Sequence, residues 1–217
     1  MYRRCGIELS RFSAVRNDSL LIIFTKNPRA GLVKTRLAST IGDEAALAVY
    51  EALRSHTASI TSKVDVTSTV FYSDFIPSAD IFDAADFKAQ LQVGNDLGER
   101  MLHAFESGFD GGYRHIVLIG TDCYELNTAI INAAFAALEH ADAVVGPARD
   151  GGFYLIGLNR FIPELFQGRQ WSTSIVLIES VEILHRLAVH YELLTELSDI
   201  DTFEDLKNSG LWPSTQA

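Results

Sequence analysis

The sequence predicts an α/β domain with a largely parallel sheet. Short apolar segments that are typical of buried strands alternate with longer segments whose apolar residues recur at helical spacing. Strands that alternate with helices form βαβ units, and these units build parallel sheets. The 217 residues contain no internal repeat and no linker that would divide them, and they suffice for the core of a single domain.

Each predicted element follows from its own pattern. Continuous apolar or Val- and Thr-rich segments predict strands at 20–24, 64–72, 115–120, 143–145, 152–158 and 191–194, with a short apolar segment at 91–93. Helical spacing predicts helices at 37–53, 97–109, 127–138 and 172–189, a loop or short helix at 76–87 and a helical turn at 202–206. Capping residues support two of the helix starts, namely Asn95 or Asp96 and Asn127 or Thr128.

The ends of the chain depart from this alternation. Residues 1–18 are basic and mixed and lack the apolar core of a signal peptide, so we expect a loosely ordered extension. Residues 19–209 form the predicted domain, and 210–217 form a tail. No apolar segment approaches the roughly 20 residues that are needed to span a bilayer.

Charge and cysteine content narrow the functional classes. The formal net charge of −10 does not fit a nucleic-acid-binding protein, which usually shows a basic excess. The cations concentrate near one loop instead, and this favours a small anionic ligand. Cys5 and Cys123 lie far apart and no Cys/His cluster has zinc spacing, so we expect no disulfide, no zinc site and a reducing, cytoplasmic location.

The segment 24–37 combines a turn with several cations. It follows the first predicted strand, it is broken by Pro28 and Gly31, and its cations are Lys26, Arg29, Lys34 and Arg36. A helix start behind such a loop offers backbone N–H groups, and Lys and Arg add positive charge, which predicts a polyphosphate site. The segment matches neither the P-loop nor the dinucleotide pattern, and a surface turn with scattered charge is the alternative.

Two acidic positions are candidate metal ligands. Asp122 follows the clearest predicted strand, and a carboxylate at that end of a strand points into the ligand crevice of an α/β sheet. Asp199 and Asp201 alternate around Ile200, so in an extended segment they point the same way, which suits a divalent cation. Helix capping is the alternative role for each position, although Asn127 or Thr128 fills it better than Asp122 does.

Three further segments have both a structural and a functional interpretation. Asp150-Gly151-Gly152 is either a plain turn or an open backbone for a sugar or base, with Asp150 as a general base. The segment 92–100 is either a capped helix start or a loop that contacts a base. The segment 171–173 is either a helix cap with a packed indole or part of the crevice rim.

Taken together, these segments resemble one family. The matching motifs are Phe24-Thr25-Lys26 through Lys34-Thr35-Arg36-Leu37, then 96–101, Gly120-Thr121-Asp122, 146–158 with its Asp-Gly-Gly block, 171–173 and 199–206. Their order is similar to that of the bacterial glycosyltransferase-like family that is often encoded beside radical-SAM genes and is named for arsenosugar biosynthesis. The resemblance covers about residues 20–207.

The resemblance implies a fold and a site. The implied fold is a single-domain GT-A three-layer sandwich with a mixed, mostly parallel sheet, as in nucleotide-diphospho-sugar transferases. The implied nucleotide-binding residues are Lys26, Gly31, Lys34, Arg36, Gln92, Leu97 and Gly98. The implied ligands of a Mg²⁺ or Mn²⁺ cofactor are Asp122 and Asp201, with Asp150 as catalytic base and Gly151, Gly152 and Trp171 on the acceptor side.

The predicted function is metal-dependent glycosyl transfer from a nucleotide-diphospho-sugar to a small acceptor. The same site would also serve nucleotidyl transfer, which joins a nucleoside triphosphate to a phosphorylated small molecule. A non-catalytic nucleotide-binding module is the third alternative. We expect small-molecule partners, no nucleic acid and no membrane span, and the sequence leaves the oligomeric state open.

Overall fold

The computed structural model describes residues 16–85, 87–171 and 173–211, with the side chains of Arg16 and Asn17 excepted. The strands of these residues are β1 (Arg16–Thr25), β2 (Val66–Tyr72), β3 (Lys88–Leu91), β4 (His115–Ile119), β5 (Ala143–Pro147), β6 (Phe153–Leu158) and β7 (Tyr191–Leu193). The helices are α1 (Thr35–Ile41), α2 (Asp43–Thr61), α3 (Leu97–Asp110), α4 (Thr128–Ala137), α5 (Val176–Arg186) and α6 (Phe203–Asn208), with 3₁₀ turns at Ile81–Ala84 and Pro163–Leu165.

All seven strands belong to one sheet, in the order β3-β2-β1-β4-β6-β5-β7. Strand β6 runs antiparallel to both of its neighbours, and the other pairings are parallel. The predicted mixed, mostly parallel sheet is therefore confirmed. None of the described helices is long and apolar enough to cross a bilayer.

Helices cover both faces of the sheet. On β1, Leu21 and Ile23 belong to the cluster that α2 and α4 cover, whereas Leu20 and Ile22 belong to the cluster that α3 and α5 cover. A strand that is buried on both faces appears in the sequence as a continuous apolar run, which is why β1 and β4 were the clearest strand signals. The result is the three-layer sandwich that the sequence analysis predicted.

The order of the strands places the candidate site. Strands β1 and β4 are parallel neighbours, with Ile23 opposite Ile119, so their carboxyl ends lie side by side. The cationic loop follows β1, and Asp122 follows β4 by three residues. A parallel bridge between Ala148 and Leu197 brings the segment that precedes Asp201 to the same edge of the sheet.

Several boundaries differ from the sequence prediction. The short strand predicted at 91–93 is β3 at Lys88–Leu91. The predicted helix 37–53 is two helices, because Gly42 has a φ of +87°, a conformation that ends α1 and favours glycine. The predicted helix 172–189 begins only at Val176 and ends at Arg186. Strand β1 begins at Arg16, three residues inside the predicted extension, and the rest of that extension lies outside the described residues.

Candidate functional site

The centre of the site is a buried lysine between two carboxylates. The Nζ of Lys34 lies 2.5 Å from Oδ1 of Asp122 and 3.0 Å from Oδ1 of Asp201, and its side chain is only 4% exposed. Arg36 donates to the other carboxylate oxygen of Asp201. Burial lowers the pKa of Lys34, but the two carboxylates outweigh it and hold the pKa above its usual range. Lys34 is therefore cationic at neutral pH.

Local backbone structure fixes these three groups. Lys34 precedes α1 in the left-handed region, with a φ of 49°, which directs its side chain away from the helix. The backbone N–H of Ile200 donates to the carbonyl of Asp122 over 3.0 Å, so the 199–201 segment runs directly beside Asp122. A capping box between Thr202 and Asp205 begins α6 immediately after Asp201.

Asp199 is a third carboxylate of the same region. Its pKa is raised to about 7, mainly by burial and also by the charges of Asp122, Asp201 and Asp150, although the charge of Lys34 lowers it. The alternation around Ile200 made Asp199 a candidate metal ligand together with Asp201, whereas the family resemblance implied only Asp201. We call Lys34, Arg36, Asp122, Asp199 and Asp201 the carboxylate–lysine cluster.

The donor set of the cluster fits a hard divalent cation. Carboxylate oxygens are the ligands that Mg²⁺ and Mn²⁺ prefer, and Mg²⁺ is usually held by one or two carboxylates plus water and phosphate oxygens. Within the described ranges, no three His, Cys, Asp or Glu side chains are placed to hold a metal ion by themselves. Asp122 and Asp201 could thus hold a cation together with a bound phosphate, at the position that the Lys34 ammonium takes here.

Other predicted residues of the cationic loop surround this cluster. Lys26 is exposed. Burial raises the pKa of Asp201, but the positive charges of Lys34, Arg36 and Lys26 outweigh it and lower that pKa below its usual value. Gly31 has a φ of +77° and forms the turn of the loop. Helix α1 has only seven residues, so the side chains of the loop, more than a helix dipole, supply its positive charge.

A buried polar network that the sequence did not predict joins α2 to the start of the cationic loop. The hydroxyl of Tyr50 accepts from the backbone N–H of Lys26 over 2.8 Å and lies 3.2 Å from Thr25 Oγ1. Arg54, one helical turn later, donates to Thr25 Oγ1 over 3.1 Å and to Asp80 Oδ2. Polar residues at helical spacing among the apolar residues of α2 are the sequence signal that could have found this network.

Asp150 lies at the border of the cluster. It is exposed, its Oδ1 accepts from the N–H of Gly152 over 2.9 Å, and its charge acts on Asp199. Gly151 has a φ of +90°, and a Cβ there would lie 2.0 Å from the carbonyl oxygen of Ser174. The prediction of an open backbone at Gly151 is therefore wrong, because Ser174 of the same chain fills that space. At Gly152 a Cβ would meet only the carboxylate of Asp150, at 3.1 Å.

The residues that we expected near a base have mixed positions. Gln92 donates its amide to the carbonyls of Thr25 and Phe71 over 3.2 and 3.0 Å, so it joins the ends of β1 and β2. Leu97 is 42% exposed at the start of α3, directly after the capping residue Asp96. Both side chains lie near the carboxyl ends of the parallel strands. Gln92 is hydrogen-bonded to two backbone carbonyls, and Leu97 is open to solvent.

Gly98 and Trp171 contact each other. A Cβ on Gly98 would lie 2.1 Å from the indole Nε1 of Trp171, so the lack of a side chain at Gly98 makes room for the indole. The nucleotide contact that the resemblance implies for Gly98 stays a prediction. The Trp171 ring packs edge-on against Phe153, and the Arg169 guanidinium lies 4.2 Å above it. The predicted packing of the indole is confirmed. The predicted helix cap at 171–173 is wrong, because α5 begins only at Val176. Ser172 lies outside the described residues.

A cavity of about 640 Å³ beside Trp171 was not predicted from the sequence. Arg169, Thr173 and Glu179 line it, and we call it the Arg169 cavity. Arg169 Nε, Thr173 Oγ1 and Glu179 Oε2 are buried and have no hydrogen-bond partner among the described residues. Thr173 directly precedes the Ser174 that packs on Gly151, so the cavity adjoins the Asp150 loop. These elements are remote in sequence, which is why no local motif indicates the cavity.

Known structures share this architecture. The chain is 31% identical to a "putative nucleotide-diphospho-sugar transferase" from Desulfovibrio desulfuricans G20, with a TM-score of 0.82 and 92% of each chain covered. The 4-diphosphocytidyl-2C-methyl-D-erythritol synthase of Anaerococcus prevotii DSM 20548 is 10% identical, with a TM-score of 0.62, and 92% of this chain and 97% of that chain are covered. At that identity the likeness shows the fold alone.

A third relative by fold was solved with a metal. Rv0371c of Mycobacterium tuberculosis H37Rv, in a complex with manganese, is 12% identical, with a TM-score of 0.53 and with 89% of this chain and 98% of that chain covered. A search among curated proteins finds no match. One family model matches residues 56–173, which is more than half of the 217 residues. The chain therefore belongs to the family described as "Uncharacterized protein conserved in bacteria (DUF2064)".

Proposed function

We propose that this chain is a transferase that uses a divalent cation and a nucleotide-diphospho-sugar to modify a small acceptor. The observation that carries the proposal is the convergence of Lys34 and Arg36 with Asp122 and Asp201, which come from three separate segments of the chain. The cluster lies at the carboxyl ends of parallel strands, which is where an α/β sheet binds its ligand.

The cationic loop has the chemistry for a diphosphate. Lys26, Lys34 and Arg36 are the cations that would contact phosphate oxygens, and Arg36 is open to solvent on one side because its side chain is 66% exposed. Positive charge at this position stabilises a diphosphate leaving group as negative charge develops on it. A divalent cation held by Asp122 and Asp201 would supply further neutralisation of that charge.

Asp150 is our candidate for the base that accepts the proton of the acceptor hydroxyl. Its Oδ1 is oriented by the N–H of Gly152, and its exposed position leaves room for an acceptor. A general base must lie within hydrogen-bond reach of the proton that it removes. The side of the cluster that faces Asp150 is thus the acceptor side of this proposal.

We assign the acceptor to the space between Asp150 and the Arg169 cavity. The cavity offers an unpartnered guanidinium N–H, a hydroxyl and a carboxylate oxygen, a mixture that suits a ligand with several hydroxyl groups. We also assign Gly152, beside Asp150, and Trp171, beneath the Arg169 guanidinium, to the acceptor side. On the donor side, we assign Gln92 and Leu97 to the base of the nucleotide, because both lie at the ligand edge of the sheet.

The relatives support a nucleotide-dependent transferase. The protein from D. desulfuricans is named for nucleotide-diphospho-sugar transfer, and the M. tuberculosis protein was crystallised with manganese. A synthetase of CMP-2-keto-3-deoxy-manno-octonic acid that shares the fold, with a TM-score of 0.54 and 10% identity, was solved with CTP. Because the family that the sequence resembles is named for arsenosugar biosynthesis, we include a role in arsenosugar biosynthesis in this proposal.

Nucleotidyl transfer is the second candidate function. The A. prevotii synthase and the CTP-bound synthetase share the fold and are named for cytidylyl products. The same cluster would then bind a nucleoside triphosphate, and pyrophosphate would leave. A non-catalytic nucleotide-binding protein is the third candidate.

Product analysis separates these functions. The purified chain is incubated with Mn²⁺, an acceptor panel of simple sugars, polyols and sugar phosphates, and either nucleotide-diphospho-sugars or nucleoside triphosphates. Release of a free nucleoside diphosphate that depends on the acceptor supports glycosyl transfer, whereas release of pyrophosphate supports nucleotidyl transfer. Nucleotide binding without turnover of any donor would point to the third candidate.

A further inference from the structure

The Lys34 ammonium takes the position that a metal ion would need. Its Nζ is within 3.0 Å of one oxygen of Asp122 and one of Asp201, the two carboxylates that we assign to the metal. Separations of this size leave no room for a cation between the same two oxygens while Lys34 stays in place. Metal binding between these same two oxygens therefore requires the ammonium to leave.

We propose that the Asp122–Asp201 pair is a cation site with two alternative occupants, Lys34 in the free protein and a divalent ion in the loaded protein. This inference rests on the proposed function, because that function brings the metal and the diphosphate to the cluster. Lys34 then moves from the carboxylates to the phosphate oxygens that arrive with the metal.

The charges of the cluster explain why one cation must be present. Asp122 and Asp201 each have a carboxylate oxygen within 3.0 Å of the Lys34 Nζ, so their two negative charges would repel each other if no cation were there. Lys34 supplies a positive charge in the absence of metal. When a divalent ion binds, the same ammonium is next to a like charge, and the nearby phosphate becomes its favourable partner.

The lysine side chain is suited to such an exchange. It is a flexible four-carbon stem with a point charge, and it can change partner by rotamer changes alone. Arg36 also donates to Asp201, through the oxygen that Lys34 does not use, so Asp201 keeps a cationic partner when Lys34 leaves. Lys34 follows the turn at Gly31, and Leu32 in that turn is 60% exposed, so solvent is close to the stem.

The exchange has a measurable consequence for metal affinity. In the free protein, Mn²⁺ must displace Lys34, and this competition weakens its binding. Replacing Lys34 with an uncharged residue of similar length removes the competitor but keeps both carboxylates. The Lys34→Met variant should therefore bind Mn²⁺ without nucleotide at least about tenfold more tightly than the natural chain, which corresponds to about 1.4 kcal/mol.

The experiment titrates Mn²⁺ alone into the full chain and measures free Mn²⁺ by electron paramagnetic resonance. The matched control is Arg29→Met, which removes another cation of the same loop that pairs instead with Asp74 over 3.0 Å. We expect less than about a twofold change there. Adding Asp122→Asn to Lys34→Met should abolish the tight binding, which assigns the ion to this site.

The outcomes distinguish the inference from the proposed function. Equal or weaker Mn²⁺ affinity in Lys34→Met than in the natural chain, with binding lost in Asp122→Asn, overturns the two-occupant inference and leaves the metal site intact. Absence of Mn²⁺ binding in both chains overturns the inference together with the metal dependence of the proposed function.

A second measurement needs no variant and remains valid if Lys34→Met fails to fold. Reductive methylation of the natural chain, followed by mass spectrometry, reports the accessibility of each lysine. Lys34 should be modified slowly in the free chain and at least about fivefold faster with saturating Mn²⁺, while exposed Lys63 serves as the internal reference. An unchanged Lys34 rate at saturating Mn²⁺ contradicts the exchange.

Discussion

The carboxylate–lysine cluster and the Arg169 cavity differ in how their polar groups are partnered. In the cluster, Lys34 and Arg36 are already paired with carboxylates, and the groups pack closely. In the cavity, about 640 Å³ is open and three buried polar atoms lack a partner among the described residues. The first region must exchange partners to bind a ligand, whereas the second can bind one by satisfying atoms that are unpaired.

This difference bears on specificity. A paired cluster favours a ligand that brings its own charges, such as a diphosphate with a divalent cation. Unpartnered polar atoms in a cavity favour a ligand whose hydroxyl groups complete their hydrogen bonds, because leaving them unsatisfied costs free energy. The two regions thus suit two different substrates, a charged donor and a hydroxylated acceptor.

The largest expected effect is on catalysis by the cluster. Asp122→Asn removes a carboxylate charge that we assign to the metal, and we expect metal-dependent turnover to fall by at least about 100-fold. Initial rates of nucleoside diphosphate release at saturating Mn²⁺ measure this. Turnover within about threefold of the natural chain would show that Asp122 does not hold the metal.

The pH dependence of the free energy of unfolding tests whether burial and the neighbouring carboxylates disfavour the charged form of Asp199 in the metal-free cluster. The pKa of Asp199 is raised from its ordinary 3.8 to about 7, so the native state binds more protons than the unfolded chain does in that window. Its contribution to stability is therefore full below about pH 4 and is lost as the pH rises to about 7. The upper bound of the loss is about 4 kcal/mol.

Asp199→Asn isolates this contribution. In EDTA, the variant should gain stability over the natural chain at pH 8 and lose that advantage at pH 4. Urea unfolding at both pH values measures the difference. A gain that is the same at both pH values would mean that Asp199 titrates normally in the folded protein.

The packing of Gly98 against Trp171 gives the next effect. Gly98→Ala places a methyl group 2.1 Å from the indole nitrogen, and we expect a loss of about 1–3 kcal/mol in the free energy of unfolding. Gly120→Ala is the matched control, because nothing lies within 4 Å of its Cβ position and its φ is not positive. Denaturant unfolding of both variants tests the assignment, and equal stabilities would contradict it.

Removing the hydroxyl of Tyr50 has a smaller effect on stability and a specific effect on the loop. Tyr50→Phe should cost about 1 kcal/mol and raise the donor KM severalfold, because Lys26 loses the acceptor of its N–H. Tyr154→Phe is the control, since it loses a comparable bond to the Thr195 carbonyl away from the loop. A donor KM that rises equally in both variants would argue against a role for Tyr50 in positioning the loop.

The smallest effect on stability is expected in the Arg169 cavity. Thr173→Val removes a hydroxyl that has no hydrogen-bond partner in the described part of the chain, so the free energy of unfolding should change by less than about 0.5 kcal/mol. If the cavity binds the acceptor, the acceptor KM rises while the donor KM stays constant. A loss of stability as large as that of Tyr50→Phe would show that the Thr173 hydroxyl is bonded after all, and the contrast between the two regions would fail.

The parts of the site that the sequence predicted share one cause. Strand β1 and strand β4 are buried on both faces, so their apolar runs were easy to recognise, and the residues that follow such strands meet at one edge of the sheet. Lys34 and Asp122 were found in this way. Asp201 was predicted because it alternates with Asp199 around Ile200 and because the family resemblance implied it as a metal ligand. The fold adds that this segment lies beside Asp122.

The parts that the sequence did not predict depend on contacts between distant segments. Gly151 looked like open backbone and Gly98 was expected to contact a base, but a distant residue packs at each of them, Ser174 at Gly151 and Trp171 at Gly98. The break at Gly42 depends on a positive φ that a glycine permits but does not require. A local sequence pattern predicts which secondary structure a residue belongs to, but it does not show which distant residue packs against it.

The most direct test of the central claim is the affinity of the chain for nucleoside diphosphates with and without Mn²⁺. Calorimetric titration with ADP, CDP, GDP, UDP and dTDP should show at least one ligand that binds at least about tenfold more tightly when Mn²⁺ is present. That gain should disappear in Asp122→Asn. Absence of binding by every diphosphate, or binding that Mn²⁺ does not change, would contradict a diphosphate site at the carboxylate–lysine cluster.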